Sequence, residues 1–105
     1  MHHLTMADKS LLIGDEAADL LIAYAAAVAG ANSGDHVTMH ALGIDGQEVA
    51  VQVLLDSGTT LLAESSTSTL PEPDNEELVL YLRDRLGFYG LLPDGPSPVG
   101  ISSEN

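Results

Sequence analysis

Two short stretches hold residue types from which a reaction could be built. Asp56, Ser57, Gly58, Thr59 and Thr60 close an apolar alternating run that begins at Gln52, so a carboxylate and three hydroxyls stand together at a strand end. A carboxylate in such a place can act as a general base on water, and two brought close together share a proton because both cannot ionise easily. His36 and His40 lie four apart. On a helix that spacing aims both imidazoles at one metal ion, but on a strand it separates them by ~13 Å, too far for one ion without a bend. Other chemistries lack their parts. There is no cysteine, hence no thiolate, disulfide or Cys-based zinc site. No serine stands in a nucleophile-elbow pattern, and no glycine-rich loop follows a strand to cradle phosphate, so nucleotide enzymes are disfavoured and no cofactor or metal is implied.

The order of patterns from Val37 to Thr60, "VTMHALGIDGQEVAVQVLLDSGTT", is a strand, a Gly-containing turn, a second apolar strand and the Asp loop. It resembles the active-site region of the retropepsin-like aspartic proteases, whose subunits are of similar size and each contribute one Asp-Ser/Thr-Gly to a dimeric site. The likeness covers about a quarter of the chain. It implies that Asp56 shares a proton with its symmetry mate and activates a water, with Ser57 and Gly58 forming the loop that holds it. After Thr60 the chain departs from that family. Where a β-hairpin flap and a later supporting strand are required, the strongest pattern is "PEPDNEELVLYLRDRL", a proline-led helix. Asp, Ser and Gly are also what a short turn prefers, since Asp accepts a backbone N–H and Gly supplies positive φ. The turn reading is the preferred one. It leaves no assigned catalytic residue, Asp56 as an outside candidate, and a chain that reads as non-enzymatic.

Charge narrows the partners. Sixteen acidic residues face three basic ones, Lys9, Arg83 and Arg85, giving a formal net charge of −13 over 105 residues. Such a field repels phosphate backbones, so direct nucleic-acid binding is not expected. The acidity serves solubility, salt adaptation or a basic protein partner, and composition does not separate the three. In "LLIGDEAADLLIAYAAAVAGA" the charges Asp15, Glu16 and Asp19 interrupt what would be the apolar part of an export signal, and the uncharged remainder is too short to span a bilayer. The reading is a cytoplasmic protein with no membrane partner. The opening Met-His-His has the composition of an appended tag, so His2 and His3 carry no inference.

The elements that must position these residues follow from periodicity. Asp15 and Glu16 suit the first turn of a helix that runs through Ala-rich sequence to Gly30, with Leu20, Leu21, Tyr24, Ala25 and Val28 at helical spacing. Its other faces are small and apolar too, so it needs cover on more than one side, which predicts a homodimer. "HVTMHALG" alternates as a strand, Asp45-Gly46 marks a hairpin turn, and "EVAVQVLL" returns as the second strand. "TTLLAESS" completes a three-stranded antiparallel meander. Pro71 and Pro73 interrupt a polar connector, Asp74 or Asn75 caps the next helix, and "NEELVLYLRDRLG" carries Leu78, Val79, Leu82 and Leu86 as a core stripe. The whole is a single α+β domain in the order α-β-β-β-α, with both helices on one face of the sheet. Residues 1–13 form an N-terminal extension, 14–90 the core and 91–105 an irregular tail. The expected function is a non-catalytic interaction or structural protein, its sticky surface made of Leu20, Tyr24, Val28, Phe88, Tyr89, Leu91 and Leu92. Alternatives are an acidic inhibitor, immunity protein or nucleic-acid mimic of a basic partner, and the Asp56 hydrolase.

Overall fold

In the computed structural model, which describes residues 1–91, the chain opens with two strands, β1 (His2–Met6) and β2 (Lys9–Ile13). Then come α1 (Asp15–Gly30), β3 (Asp35–Leu42), β4 (Glu48–Leu55), β5 (Leu61–Ser65) and α2 (Glu76–Tyr89). The α+β class holds, with a five-stranded antiparallel sheet in place of the three-stranded meander. Residues 1–13 are no extension. They fold as a hairpin with Leu4 opposite Leu11 and His2 opposite Ile13, turning at Ala7, where φ is 53°. Leu4, Leu11 and Ile13 point into the core and are fully or almost fully buried, so this hairpin forms part of the floor under α1.

The sheet order is β4-β3-β2-β1-β5. β5 therefore pairs with β1, Leu4 opposite Ala63 and Met6 opposite Leu61, and does not fold back on β4. The link from Leu55 to Leu61 explains part of the shape. A tight turn brings Asp56 and Thr59 within a hydrogen bond of each other, leaving a reach of no more than about 18 Å. Four strand spacings in a flat sheet take ~19 Å before any offset along the strands, so the outer strands curl toward one another. α1 lies in the resulting trough and touches β1, β4 and β5.

The second cover for α1 is α2. Leu78, Leu82 and Leu86 of α2 are buried in the same cluster as Ala17, Leu20, Leu21, Tyr24 and Val28 of α1. A chain that lacks polar surface on one helix thus finds both covering faces within itself: the sheet on one side and α2 on the other. Arg83 of α2 pairs with Glu16 in the first turn of α1, clipping the helices together at their edge. α2 runs past Gly87, where the sequence pattern placed its end. It stops at Gly90, whose φ of 75° is the left-handed region, while Leu91 N–H returns 2.8 Å to the Leu86 carbonyl.

β2 and β3 share the single register pair Leu12 with Leu42, because β2 gives way to α1 after Ile13. The other edge of β3 pairs with β4 throughout, while among the described residues the rest of β3 has no strand on the β2 side. There the side chain of Asn75 takes the place of a strand: its Oδ1 accepts the His40 N–H at 2.8 Å and its Nδ2 donates to the His40 carbonyl at 2.7 Å. Asn75 is only 7% exposed. It precedes α2 but does not cap it; the Asp74 carboxylate accepts the Glu76 N–H at 3.0 Å instead.

Candidate functional site

Asp56 sits half-buried at the end of β4. Its Oδ1 accepts the Gly58 N–H at 2.9 Å and lies 3.0 Å from the Thr59 hydroxyl. Thr59 Oγ1 also accepts the Asp56 N–H at 3.2 Å and reaches the Leu54 carbonyl at 3.0 Å. These bonds make Asp56-Ser57-Gly58-Thr59 a closed turn in which the carboxylate replaces a backbone acceptor. His36 and His40 stand on the outer face of β3, alternating with Thr38, and His40 Nδ1 lies 3.5 Å from Glu48 Oε2 on β4. Among the described residues no group of three or more His, Asp or Glu is placed to hold a metal ion.

A third polar group was not visible in the sequence. Asp35 Oδ2 accepts both the Tyr24 hydroxyl, 2.6 Å away, and the Tyr81 hydroxyl, 2.5 Å away. The three residues come from β3, α1 and α2, so one carboxylate joins three elements. Burial works against the charge on Asp35, but hydrogen bonds from both phenols and from the His36 N–H outweigh it and hold the carboxyl below its usual range. The Tyr81 phenol is pushed well up, first by its bond to Asp35 and then by burial, and the Tyr24 phenol is raised by burial and by the same carboxylate. Tyr24 also meets the Tyr81 and Tyr89 rings, each with a centroid separation of 6.2 Å. The phenols here donate and stay neutral, which is the chemistry of a structural lock rather than of a nucleophile.

The residues expected to form an interaction surface divide. Leu20, Tyr24 and Val28 are buried inside the chain, between the sheet and α2. Tyr89 is half-buried against Tyr24, while Phe88 is 74% exposed and Leu91 is also exposed. Leu92 lies outside the described residues, as does the rest of the expected tail. Leu80 and Phe88 are exposed on α2 and Leu91 is exposed just beyond its end, and the Arg85 guanidinium sits 4.8 Å from the Phe88 ring centre.

An opening lies on the face of the sheet away from the helices. A groove of about 990 Å³ has Leu12 and Leu42 in its floor and Ile44, Leu70 and the stretch from Val49 to Gln52 around it. Leu42 is buried beneath this surface and Ile44 is fully exposed above it. Leu70, from the proline-containing connector, reaches within 4.0 Å of where a Cβ on Gly46 would stand, so the connector forms one wall. Gly46 itself has a φ of 80°, the left-handed position that closes the three-residue hairpin loop between β3 and β4.

β4 borders this groove and is an edge strand. Gly43 N–H bonds the Gln47 carbonyl at 2.9 Å, and the ladder then alternates, so Ala41 with Val49, Met39 with Val51 and Val37 with Val53 exchange hydrogen bonds. The N–H and C=O groups of Glu48, Ala50, Gln52 and Leu54 consequently point away from β3, toward the open edge. Leu54 is 63% exposed there. Acidic residues stand at both ends of the strand: Asp45 and Glu48 at the hairpin end, Asp35 and Asp56 at the other.

Comparison of the chain with protein families, with curated proteins and with solved structures finds no match. Among the described residues no helix is long and apolar enough to cross a membrane.

Proposed function

We propose that this is a non-catalytic interaction domain that binds through the open face of its sheet. The observation that carries the reading is the apolar groove bordered by the unpaired edge of β4. Its support is twofold. The side chains with chemical potential are held in structural bonds, Asp56 within its turn and Asp35 between two phenols. Apolar side chains such as Ile44 and Leu54 are meanwhile left in water, where covering them is favourable by roughly 25 cal/mol per Å². The decisive experiment is a photo-crosslinking residue placed singly at Ile44, Leu54 and Phe88 in the native host, with Asp19 and Glu77 as controls. A discrete adduct from Ile44 and Leu54 and none from the controls supports the reading. Absence of an adduct at both of these positions refutes it.

A second reading, a homodimer, is favoured by the apolar side chains left exposed on α2 and just past its end, Leu80, Phe88 and Leu91. An adduct of twice the chain mass at Phe88, absent at Ile44, is its expected result. Light scattering that gives one chain mass at micromolar concentration would exclude it. The acidic inhibitor is the hetero-partner form of the first reading, with the −13 net charge selecting the partner.

A further inference from the structure

The edge of β4 differs from the edges that proteins ordinarily leave open. Solvent-facing edge strands are blunted by lysine, proline, a bulge or short length, since an unpaired row of N–H and C=O groups templates another strand. β4 has eight residues, Glu48–Leu55, with no lysine, no proline and an unbroken register against β3. β5, at the opposite edge, has five residues and carries Glu64 outward beside His3. Among the described residues this long unprotected edge is also the one that borders the groove.

We infer that the edge of β4 receives an extended, basic segment of another protein as a sixth strand. The inference rests on the interaction reading and names the partner's chemistry. An added strand takes the outward N–H and C=O groups of Glu48, Ala50 and Gln52, and its alternate side chains fall on the outer face beside them. Ala50 offers little bulk there, so an apolar side chain of the added strand lies over it and continues the surface of Leu42 and Leu12. Charge selects the occupant. Asp45 and Glu48 flank one end of the edge and Asp56 the other, on a chain of net charge −13. A second copy of this chain would bring another −13 to the same place, which opposes self-pairing, whereas lysines at the ends of an added strand meet carboxylates.

The test uses the full chain and three synthetic heptapeptides: one alternating Lys with Val and beginning and ending in Lys, the same peptide N-methylated at alternate residues, and one with Glu in place of Lys. Backbone amide shifts are followed by NMR and affinity by fluorescence anisotropy. The basic peptide is expected to shift amides within residues 48–54 and to lose at least about tenfold in affinity between 50 and 500 mM NaCl, while the acidic and N-methylated peptides leave those amides unmoved. Ala50→Pro removes an outward donor without removing a bond to β3, and Gln52→Lys adds like charge while keeping the backbone intact. Each should weaken the basic peptide by about tenfold or more. Binding that maps to the acidic connector of residues 72–77, or that survives N-methylation, overturns the inference. So does a doubled mass with the 48–54 amides shifted in the absence of peptide. Cross-links at Ile44 and Leu54 without any peptide response would keep the interaction domain and remove strand addition.

Discussion

Replacement of Asn75 by Asp separates two roles that its position would otherwise confound. At the start of a helix, Asn and Asp are about equally good caps, so a capping role predicts a change near zero. The structure assigns the side chain elsewhere: both polar atoms bond the main chain of His40, at 2.8 and 2.7 Å, and the residue is 7% exposed. Asp keeps an acceptor for the His40 N–H but has no donor for the His40 carbonyl, and it turns a negative oxygen toward that carbonyl. One polar group loses its partner, at about 1–3 kcal/mol, and the carboxylate adds repulsion, so a loss of about 2 kcal/mol is expected at pH 7. Asn75→Ala leaves both His40 groups unpartnered, and water at the outer side of β3 offsets part of the cost, for a loss of about 2–4 kcal/mol. In a domain of this size that lowers Tm by roughly 10–20 °C. Urea unfolding monitored by circular dichroism measures both variants, with an unchanged m value showing that the same surface is exposed on unfolding. Asn75→Asp within about 0.5 kcal/mol of wild type would refute the bridging role and return the residue to capping.

Three further outcomes follow from the same geometry. Asp56→Asn should fold with a stability change under about 1 kcal/mol, because Asn also serves as the acceptor in such a turn, and peptidase assays at acid pH should be indifferent to it; a pepstatin-sensitive activity lost in this variant would restore the catalytic reading. Asp35→Asn should cost about 1–2 kcal/mol at pH 7, with the gap to wild type narrowing as pH falls. The folded-state carboxyl titrates below its unfolded value near 3.9, so its contribution is fully present above that pH and is lost as pH drops through the lower folded value; a gap that stays constant from pH 7 to pH 2 would count against it. Finally, the midpoint of urea unfolding should rise as NaCl increases from 0.05 to 1 M, since sixteen acids against three bases repel one another and salt screens them; a falling midpoint would mean that specific ion pairs outweigh the general repulsion.

Elements whose signals lie within a few residues could be read from the chain. α1 begins at Asp15 and ends at Gly30, β3 and β4 flank the Asp45-Gly46 turn, and Leu78, Leu82 and Leu86 form the buried stripe of α2. The Asp56 turn was legible for the same reason, because its hydrogen bonds close within four residues. The hairpin of residues 2–13 was missed. Two five-residue strands give little alternation to detect, and His2 and His3 resembled a tag. Their placement shows in the contacts: His2 Nδ1 lies 2.6 Å from Asp15 at the head of α1, and His3 faces Leu12 on the outer side.

The sequence by itself determined the two helices, the strands β3 to β5 and the residues that turn them, since periodicity, acidic first turns and Asx turns act over one or two turns of chain. Only the tertiary structure decided how they pair. β5 can bond to any open edge, and it joins β1 because that register puts Leu61 and Ala63 on the core face within reach of a short link. α1 reads as a helix short of cover until α2 is folded onto it, so the case for a second chain at that surface depended on a contact that no local pattern encodes. Asn75 likewise has the type and position of a cap, but the end of β2 leaves a strand edge open beside it, and satisfying that buried edge is worth more than capping. The groove and the free edge of β4 exist for the same reason: they are what remains exposed after the long-range pairings are made.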